Sequence, residues 1–505
     1  MAHITAMPED AQLPQLQAVM DGAAMQNVFQ RRLPGFAEGR LRIDGLKLTR
    51  MTYTPNKACR ICYTLRVHDT ISGREGDQIL FGKTASNDEI ANRREQARRE
   101  TYAQPEFGPA LYVLPELNLV LWGFPNDPAL RQLRQLFDNN ALCGYFREFW
   151  ERFHFPPNVK LDGVATVLVK YVPELRCTLR HALHLGEAGD LTVYSKTFCH
   201  KTGGAQIFKT MLACWNAPVC QSGDILIPEP LFLIDEMNTF FMRGLAGTNA
   251  DENLAALDLD RLVAEMGVAL AGIQQCRLEG LAECADQDAM SEVAEAEKVL
   301  GSFDAAYIPR VAAIAETLRE KFPGLTKIPP APIHSAFRIS QFLLVDGKLA
   351  LIDFDDFLLG NPITDVASFV AHLLYLPLKG KITPAQSDSA ISHFCEAYAT
   401  HAPWGLPADV LAWQTAAHLV GKQAKKCIKR TKQHYRDIVD QLLNLAKDIL
   451  EGKWGNGVKR NLVILFLCFF ALSLMADFQA RPRLRIENRS SARRYSLKIR
   501  NSPDE

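Results

Sequence analysis

Three carboxylates crowd one short stretch of this chain: Asp353, Asp355 and Asp356 close the apolar run FLLVDGKLALIDF, residues 342–354. Carboxylates this close repel one another unless a cation sits among them, and a divalent metal that bridges phosphates would meet that need. An acidic surface turn is the alternative. The run itself reads as a hairpin, two apolar strands about Asp346-Gly347, a dipeptide suited to a two-residue turn. A polar loop, His334–Gln341, precedes it, and two strands upstream end in lysine, at Lys83 and Lys196.

Those lysines belong to a repeated pattern. Tyr53 and Tyr171, Pro55 and Pro173, and Cys59 and Cys177 each lie 118 residues apart. Lys83 and Lys196 lie 113 apart, while Glu116/Glu236 and Asn118/Asn238 lie 120 apart. Offsets that nearly agree over such a stretch indicate a duplicated β-rich module, with changes in loop length. Within each copy short runs alternate apolar and polar residues, the period of a strand. Turn signals fall at Ser72–Asp77 and Gly186–Asp190. Helical stretches are expected at 87–102 and Gly203–Trp215. The second half turns helical, with helices expected over Leu254–Glu283, Ser291–Phe322, Asp365–Leu376, Pro384–Ala399 and Ala408–Leu450.

The segment from Pro332 to Leu373 resembles the phosphate-transfer core of aminoglycoside phosphotransferases and choline-kinase-like enzymes. There an HGDxxxxN loop, a hairpin, an IDF strand end and a GDPxxDL helix start follow in order. Here the frame reads His334-Ser-Ala-Phe-Arg-Ile-Ser-Gln341, then Ile352-Asp353-Phe354-Asp355, then Gly360-Asn-Pro-Ile-Thr-Asp365. The resemblance implies an α+β, protein-kinase-like two-lobe fold with a β-rich N-lobe, a mostly helical C-lobe and an extra N-lobe-like module. It implies ATP and Mg2+ as cofactors, with Lys196 on the nucleotide phosphates and Asp353 on the metal. Asp365 and His334 become scaffold residues, and Lys83 a relic.

Four departures from the family pattern bear on chemistry. The usual catalytic-base position is Ala336, which cannot accept a hydroxyl proton. The metal-binding asparagine is Gln341, one methylene longer. No acid between Lys196 and Asp224 can pair with that lysine, and Gln206 is the side chain that could hydrogen-bond it. Pro173-Glu-Leu-Arg176 lacks the glycines of a phosphate cradle, leaving Arg176 to touch phosphate as a charge. Two readings follow. One is a catalytically impaired, pseudokinase-like protein that binds nucleotide or serves as a scaffold. The other is an active small-molecule kinase with Asp355 or Asp356 as a substitute base. Its partners would be a nucleotide together with a small-molecule acceptor or a protein.

The whole chain bounds these readings. Its 505 residues suggest about three packing units. Lys+Arg and Asp+Glu are both 57, so the formal charge is zero and no nucleic-acid partner is expected. Twelve cysteines include one CxxC pair, Cys59/Cys62, without a second pair to complete a zinc site. Free thiols and an N-terminus without a secretory signal point to the cytoplasm. Residues 1–40 read as an N-terminal segment, 41–125 as the first repeat, 126–160 as a helical connector and 161–246 as the kinase-like N-lobe. Residues 247–452 read as the C-lobe and 453–505 as a tail. Six basic residues from Lys422 to Lys432 form either a solvated helix face or a surface for an anionic polymer, an acidic partner or a membrane. The tail joins an apolar run, 462–476, to a basic end. That run fits a short membrane anchor, a helix docked on the body or a partner, or a foreign extension.

Overall fold

The computed structural model describes residues 10–453, apart from 55, 86–89, 91–94, 96–99, 201–202, 253, 286 and 430–434. Most of the stretch expected as a helix at 87–102, part of the basic run before Lys432 and the whole tail from Trp454 lie outside the described residues. Among the described residues no helix is long and apolar enough to cross a membrane. The class is the expected one, α+β, with a sheet-rich first half and a helical second half.

Two five-stranded sheets form the first half. One contains β1 (Leu41–Thr54), β2 (Ala58–Asp69), β3 (Glu75–Ala85), β4 (Leu111–Leu114) and β5 (Leu119–Gly123), in the order β1-β2-β3-β5-β4. The other contains β6 (Gly163–Val172), β7 (Arg176–His184), β8 (Asp190–Phe198), β9 (Pro230–Ile234) and β10 (Thr239–Arg243), in the order β6-β7-β8-β10-β9. The strand orders are the same. Lys83 pairs across to Arg60 and Val120, and Lys196 pairs across to Thr178 and Phe240, so both lysines hold the same place in their sheets.

The likeness begins earlier than the strands. Helices α1 (Leu16–Met20) and α2 (Gly22–Arg32) precede the first sheet, and α3 (Asn139–Glu148) precedes the second. Asp21 caps α2 and Asp138 caps α3, each accepting from two backbone amides. Asp10 accepts from Tyr53 Oη at 2.7 Å and Asn56 N at 2.9 Å, while Asp127 accepts from Tyr171 Oη at 2.6 Å and Glu174 N at 2.9 Å. Each carboxylate thus ties down the turn of its own first hairpin. Residues 126–160, expected as a connector, stand to the second sheet as residues 10–40 stand to the first.

The cysteine pair is explained by strand geometry. Cys59 and Cys62 are three apart on β2, so they face opposite sides. Cys59 packs with the core shared by the first sheet and the helical half, and Cys62 with the core between the two sheets. Burial pushes both thiols up to about 12.

The helical half starts after β11 (Thr248–Asn249). With α4 (Gly204–Trp215) and α5 (Pro218–Gln221) already in the first half, its helices are α6 (Leu259–Gln274), α7 (Gln287–Phe303), α8 (Tyr307–Lys321), α9 (Ile363–Leu378), α10 (Pro384–His401), α11 (Ala408–His418), α12 (Lys425–Lys429) and α13 (Tyr435–Leu450). Three long helices expected from periodicity are shorter here. The first stops at Gln274. The second breaks into α7 and α8, where Asp304 turns the chain by accepting from Ala306 N at 3.0 Å. Pro309 then falls in the first turn of α8, where its missing N–H has no helical partner to lose. The third opens into a π-helical turn, Leu419–Ala424, between α11 and α12. Strands β12 (Ala331–Ile333), β13 (Phe342–Val345), β14 (Lys348–Leu351) and β15 (Leu358–Gly360) carry the motif segment. β13 and β14 pair as the expected hairpin, with Asp346 and Gly347 both at positive φ as a tight turn requires.

Candidate functional site

The site forms where the second sheet meets the hairpin of the helical half. Lys196, on β8, is 157 and 159 residues from the acids it meets, yet its Nζ donates to Asp353 Oδ1 at 2.6 Å and to Asp355 Oδ1 at 2.7 Å. Arg176, the first residue of β7, donates from Nη1 to Asp355 Oδ2 at 2.7 Å. Gln341 donates its amide N–H to Asp353 Oδ2 at 3.2 Å. Five of the residues singled out by motif are therefore brought together. Asp353 adopts φ +73°, a strained value for a side-chain-bearing residue.

Electrostatics follow from burial and neighbours. Burial alone would lower the Lys196 ammonium, but Asp355 and Asp353 outweigh it and hold the group above its usual value. Asp353 is raised by burial, yet Lys196, Lys170 and Arg176 bring it well below the carboxylate range. Asp355 moves upward, because its burial and the neighbouring Asp353 exceed the pull of Lys196 and Arg176. A base must be free to accept a proton. Asp355 instead has both oxygens engaged by cations. Asp356 is exposed and belongs to neither contact.

The loop His334–Gln341 is held from below. Asp365, fully buried near the start of α9, accepts from His334 N at 2.6 Å and Ser335 N at 2.7 Å. Gln274 also donates to Asp365, at 3.2 Å. This fixes the backbone around Ala336 and explains the left-handed Ser335, φ +61°. The loop keeps its scaffold, while position 336 presents a methyl group.

Three side chains at this site were not singled out from sequence. Lys170, near the end of β6, lies 3.8 Å from Asp353 Oδ2. Arg338, in the loop itself, has a buried Nε with no partner among the described residues. Lys422, from the π-helical turn, donates to Ser335 O at 3.3 Å, and burial lowers its ammonium. Lys422 was read only as part of a basic helix face. Its π-helical setting, a common feature of functional sites, carries no residue signature in the sequence. Gln206 does not meet Lys196, which donates to the two aspartates, and lies instead beside Gly280.

Lys83 is nearly fully buried, and its Nζ is 3.5 Å from Glu174 Oε2. The same oxygen accepts from Arg60 Nε at 2.5 Å. Glu174 lies in the β6–β7 turn of the second unit, so a carboxylate of that turn faces the lysine of the first. A separate cavity of about 1040 Å3 is lined by Phe124, Pro125, Arg134, Phe137 and Val167. None of Lys196, Asp353, Asp355 or Ala336 lines it.

A magnesium ion in the implied place would take oxygens of Asp353 and the side-chain amide oxygen of Gln341. Both Asp353 oxygens are engaged, by Lys196 and by the Gln341 amide N–H. Gln341 turns that N–H rather than its oxygen to Asp353, while the Lys196 ammonium bridges Asp353 to Asp355, whose other oxygen holds Arg176. As arranged, these residues do not fit a divalent ion, since one would have to displace Lys196 and turn the Gln341 amide.

A sheet with a buried lysine, a hairpin ending in paired aspartates and a loop pinned by a third aspartate thus meet at one place in an α+β fold. Residues 221–404, under half of the chain, match the model of a phosphotransferase enzyme family. A choline/ethanolamine kinase family protein from Mesorhizobium loti is similar at 14% identity, over 63% of this chain and 98% of its own, with TM-score 0.41. A choline kinase from Cryptosporidium parvum is similar at 10% identity, over 63% and 97%, with TM-score 0.46. An aminoglycoside phosphotransferase solved with ADP and hygromycin B is similar at 13% identity, over 62% and 98%, with TM-score 0.41. A search of the curated proteins returns no match.

Proposed function

We propose that this chain is a phosphotransferase-like protein that binds nucleotide but is impaired in phosphoryl transfer, and that it acts as a regulator or scaffold. The observation that carries this reading is Ala336. The loop around it is held by Asp365 in the manner of a working loop, yet no carboxylate stands at the base position. Engagement of Asp355 by Lys196 and Arg176 supports the same reading, because it removes one substitute base. Loss of base assistance alone costs about 10²–10⁴-fold, so the geometry predicts slow transfer rather than a changed fold. The matching layout of residues 10–125 and 127–246 supports a duplicated unit, whose first copy serves as a packing platform.

The second reading, an active small-molecule kinase, rests on Asp356, which is exposed beside the paired aspartates. Calorimetry with ATP on the full chain tests binding. A turnover assay over a panel of small hydroxyl acceptors tests transfer, with Ala336→Asp and Asp356→Asn alongside wild type. Binding with slow turnover, raised in Ala336→Asp, is the expected result. Wild-type turnover that is lost in Asp356→Asn would establish the kinase instead.

A further inference from the structure

The cleft holds more positive charge than its carboxylates balance. Arg176, Lys196 and Arg338 all act on Lys170, and Lys170, Arg176 and Lys196 act on Asp353, so the carboxylates among these four cations are Asp353 and Asp355. Four cations against two anions leave a surplus of two positive charges. Asp356 does not reduce it, because that residue is exposed and acts on Lys422.

The cations divide by what they touch. Lys196 and Arg176 are committed to the aspartates at 2.6–2.7 Å. Lys170 reaches Asp353 only at 3.8 Å, and its side chain is 48% exposed. Arg338 has a buried guanidinium N–H that no described group accepts. A buried charged donor without a protein acceptor is costly, so this N–H offers a place for an oxygen from a ligand or a water. The turn before Arg176 has no glycine, so backbone amides do not cradle an anion there, and side-chain cations are what the cleft offers.

Phosphate oxygens fit this arrangement. They accept charge-assisted hydrogen bonds from ammonium and, in pairs, from guanidinium groups. In a site of this shape a metal ordinarily neutralises a polyphosphate. Here the ammonium of Lys196 already holds the aspartates, and the two uncommitted cations supply the neutralising charge. We infer that this cleft binds a nucleoside polyphosphate directly through side chains, without a divalent metal, and that Lys170 and Arg338 are the residues that take its phosphate oxygens. This rests on the nucleotide-binding reading above and names how that site recognises its ligand.

The test is calorimetry on the full chain with three titrants: ATP with EDTA, ATP with Mg2+, and inorganic tripolyphosphate with EDTA. ATP is expected to bind in EDTA at least as tightly as with Mg2+. Lys170→Ala and Arg338→Ala are each expected to weaken it by about tenfold or more, the scale of one lost charge-assisted contact. Lys170 is half-exposed, so its variant keeps the test valid even if Arg338→Ala fails to fold. ATP binding that requires Mg2+ and is unchanged in Lys170→Ala would overturn the inference and leave the nucleotide reading intact. Tripolyphosphate binding in EDTA without ATP binding would overturn the nucleotide reading and leave the cationic cleft. If none of the three binds, both fall.

Discussion

Buried titratable groups set how single residues respond to pH. His181 is fully buried, with Nε2 at 2.8 Å from Ser195 Oγ and Nδ1 at 3.0 Å from Thr166 Oγ1. Burial lowers it from 6.5 to about 3, and lowers His372 equally. The unfolded chain takes up a proton near 6.5 on each, while the folded chain does not until about pH 3. Stability therefore falls as pH drops through the range from 6.5 toward 3. By linkage each histidine costs roughly 1 kcal/mol at about pH 5.5 relative to neutrality. Asp355 and Asp365, raised by burial, work in the opposite sense, since the folded state then holds the extra proton. Urea unfolding at about pH 7.5 and 5.5 should show the lower midpoint at the lower pH. His181→Gln, which does not titrate, should narrow that gap. An equal gap in the variant would mean that His181 is not a source of the pH dependence.

At the scale of elements, each first hairpin hangs on one carboxylate. Asp127 accepts from Tyr171 Oη and Glu174 N, and also from Ala129 N at 2.7 Å and Leu130 N at 2.9 Å. Asp127→Ala strands these donors and should cost about 3–5 kcal/mol in urea unfolding. It should also weaken nucleotide binding, because the freed turn carries Arg176 away from Asp355. Asp10→Ala strands the matching donors of the β1–β2 turn and should lower stability while leaving nucleotide affinity unchanged. Equal effects of both variants on affinity would break the link between this turn and the site.

The strands, the lysines and the Asp346-Gly347 hairpin were legible in the sequence, because period-two alternation and turn dipeptides act over a few residues. The likeness of α2 to α3 is faint in the sequence, although Asp10/Asp127, Gln15/Gln132, Asp21/Asp138 and Phe29/Phe146 all lie 117 apart. Its identities are sparse, since a helix needs only an apolar stripe and a cap. Nothing local marks Lys170 and Arg338 in the sequence, and the basic run around Lys422 reads only as a charged helix face. Their roles come from partners brought together by tertiary packing, as Lys422 meets Ser335 across 87 positions of sequence.

At the scale of the molecule, the first unit is fastened on two sides. One side of its sheet shares a core with the helical half, where the Tyr53 and Phe303 rings lie 6.1 Å apart. The other side packs against the second unit, with Phe81 stacked on Trp122 at 5.4 Å inside that core. Polar matching is added by Glu174, whose left-handed backbone, φ +59°, is unusual for a residue with a long side chain. Such strain, of order ~1 kcal/mol or more, persists when the surroundings use it. Here it aims the carboxylate at Arg60 and at Lys83, a lysine with only 3% of its side chain exposed. Removing one member of a buried pair costs about 3–5 kcal/mol, because the remaining charge loses its counter-ion, whereas replacing both members by neutral groups costs much less. Glu174→Gln should therefore lower the unfolding free energy, and adding Lys83→Met should recover part of that loss, as far as the other contacts of Lys83 and Glu174 allow. Arg60 keeps the recovery incomplete, because its guanidinium also loses the carboxylate. A double-mutant cycle in urea measures the coupling directly. Strictly additive effects would mean that the two units are joined by their apolar core alone, and that Glu174 is held in its strained turn by Asp127 rather than by the lysine it faces.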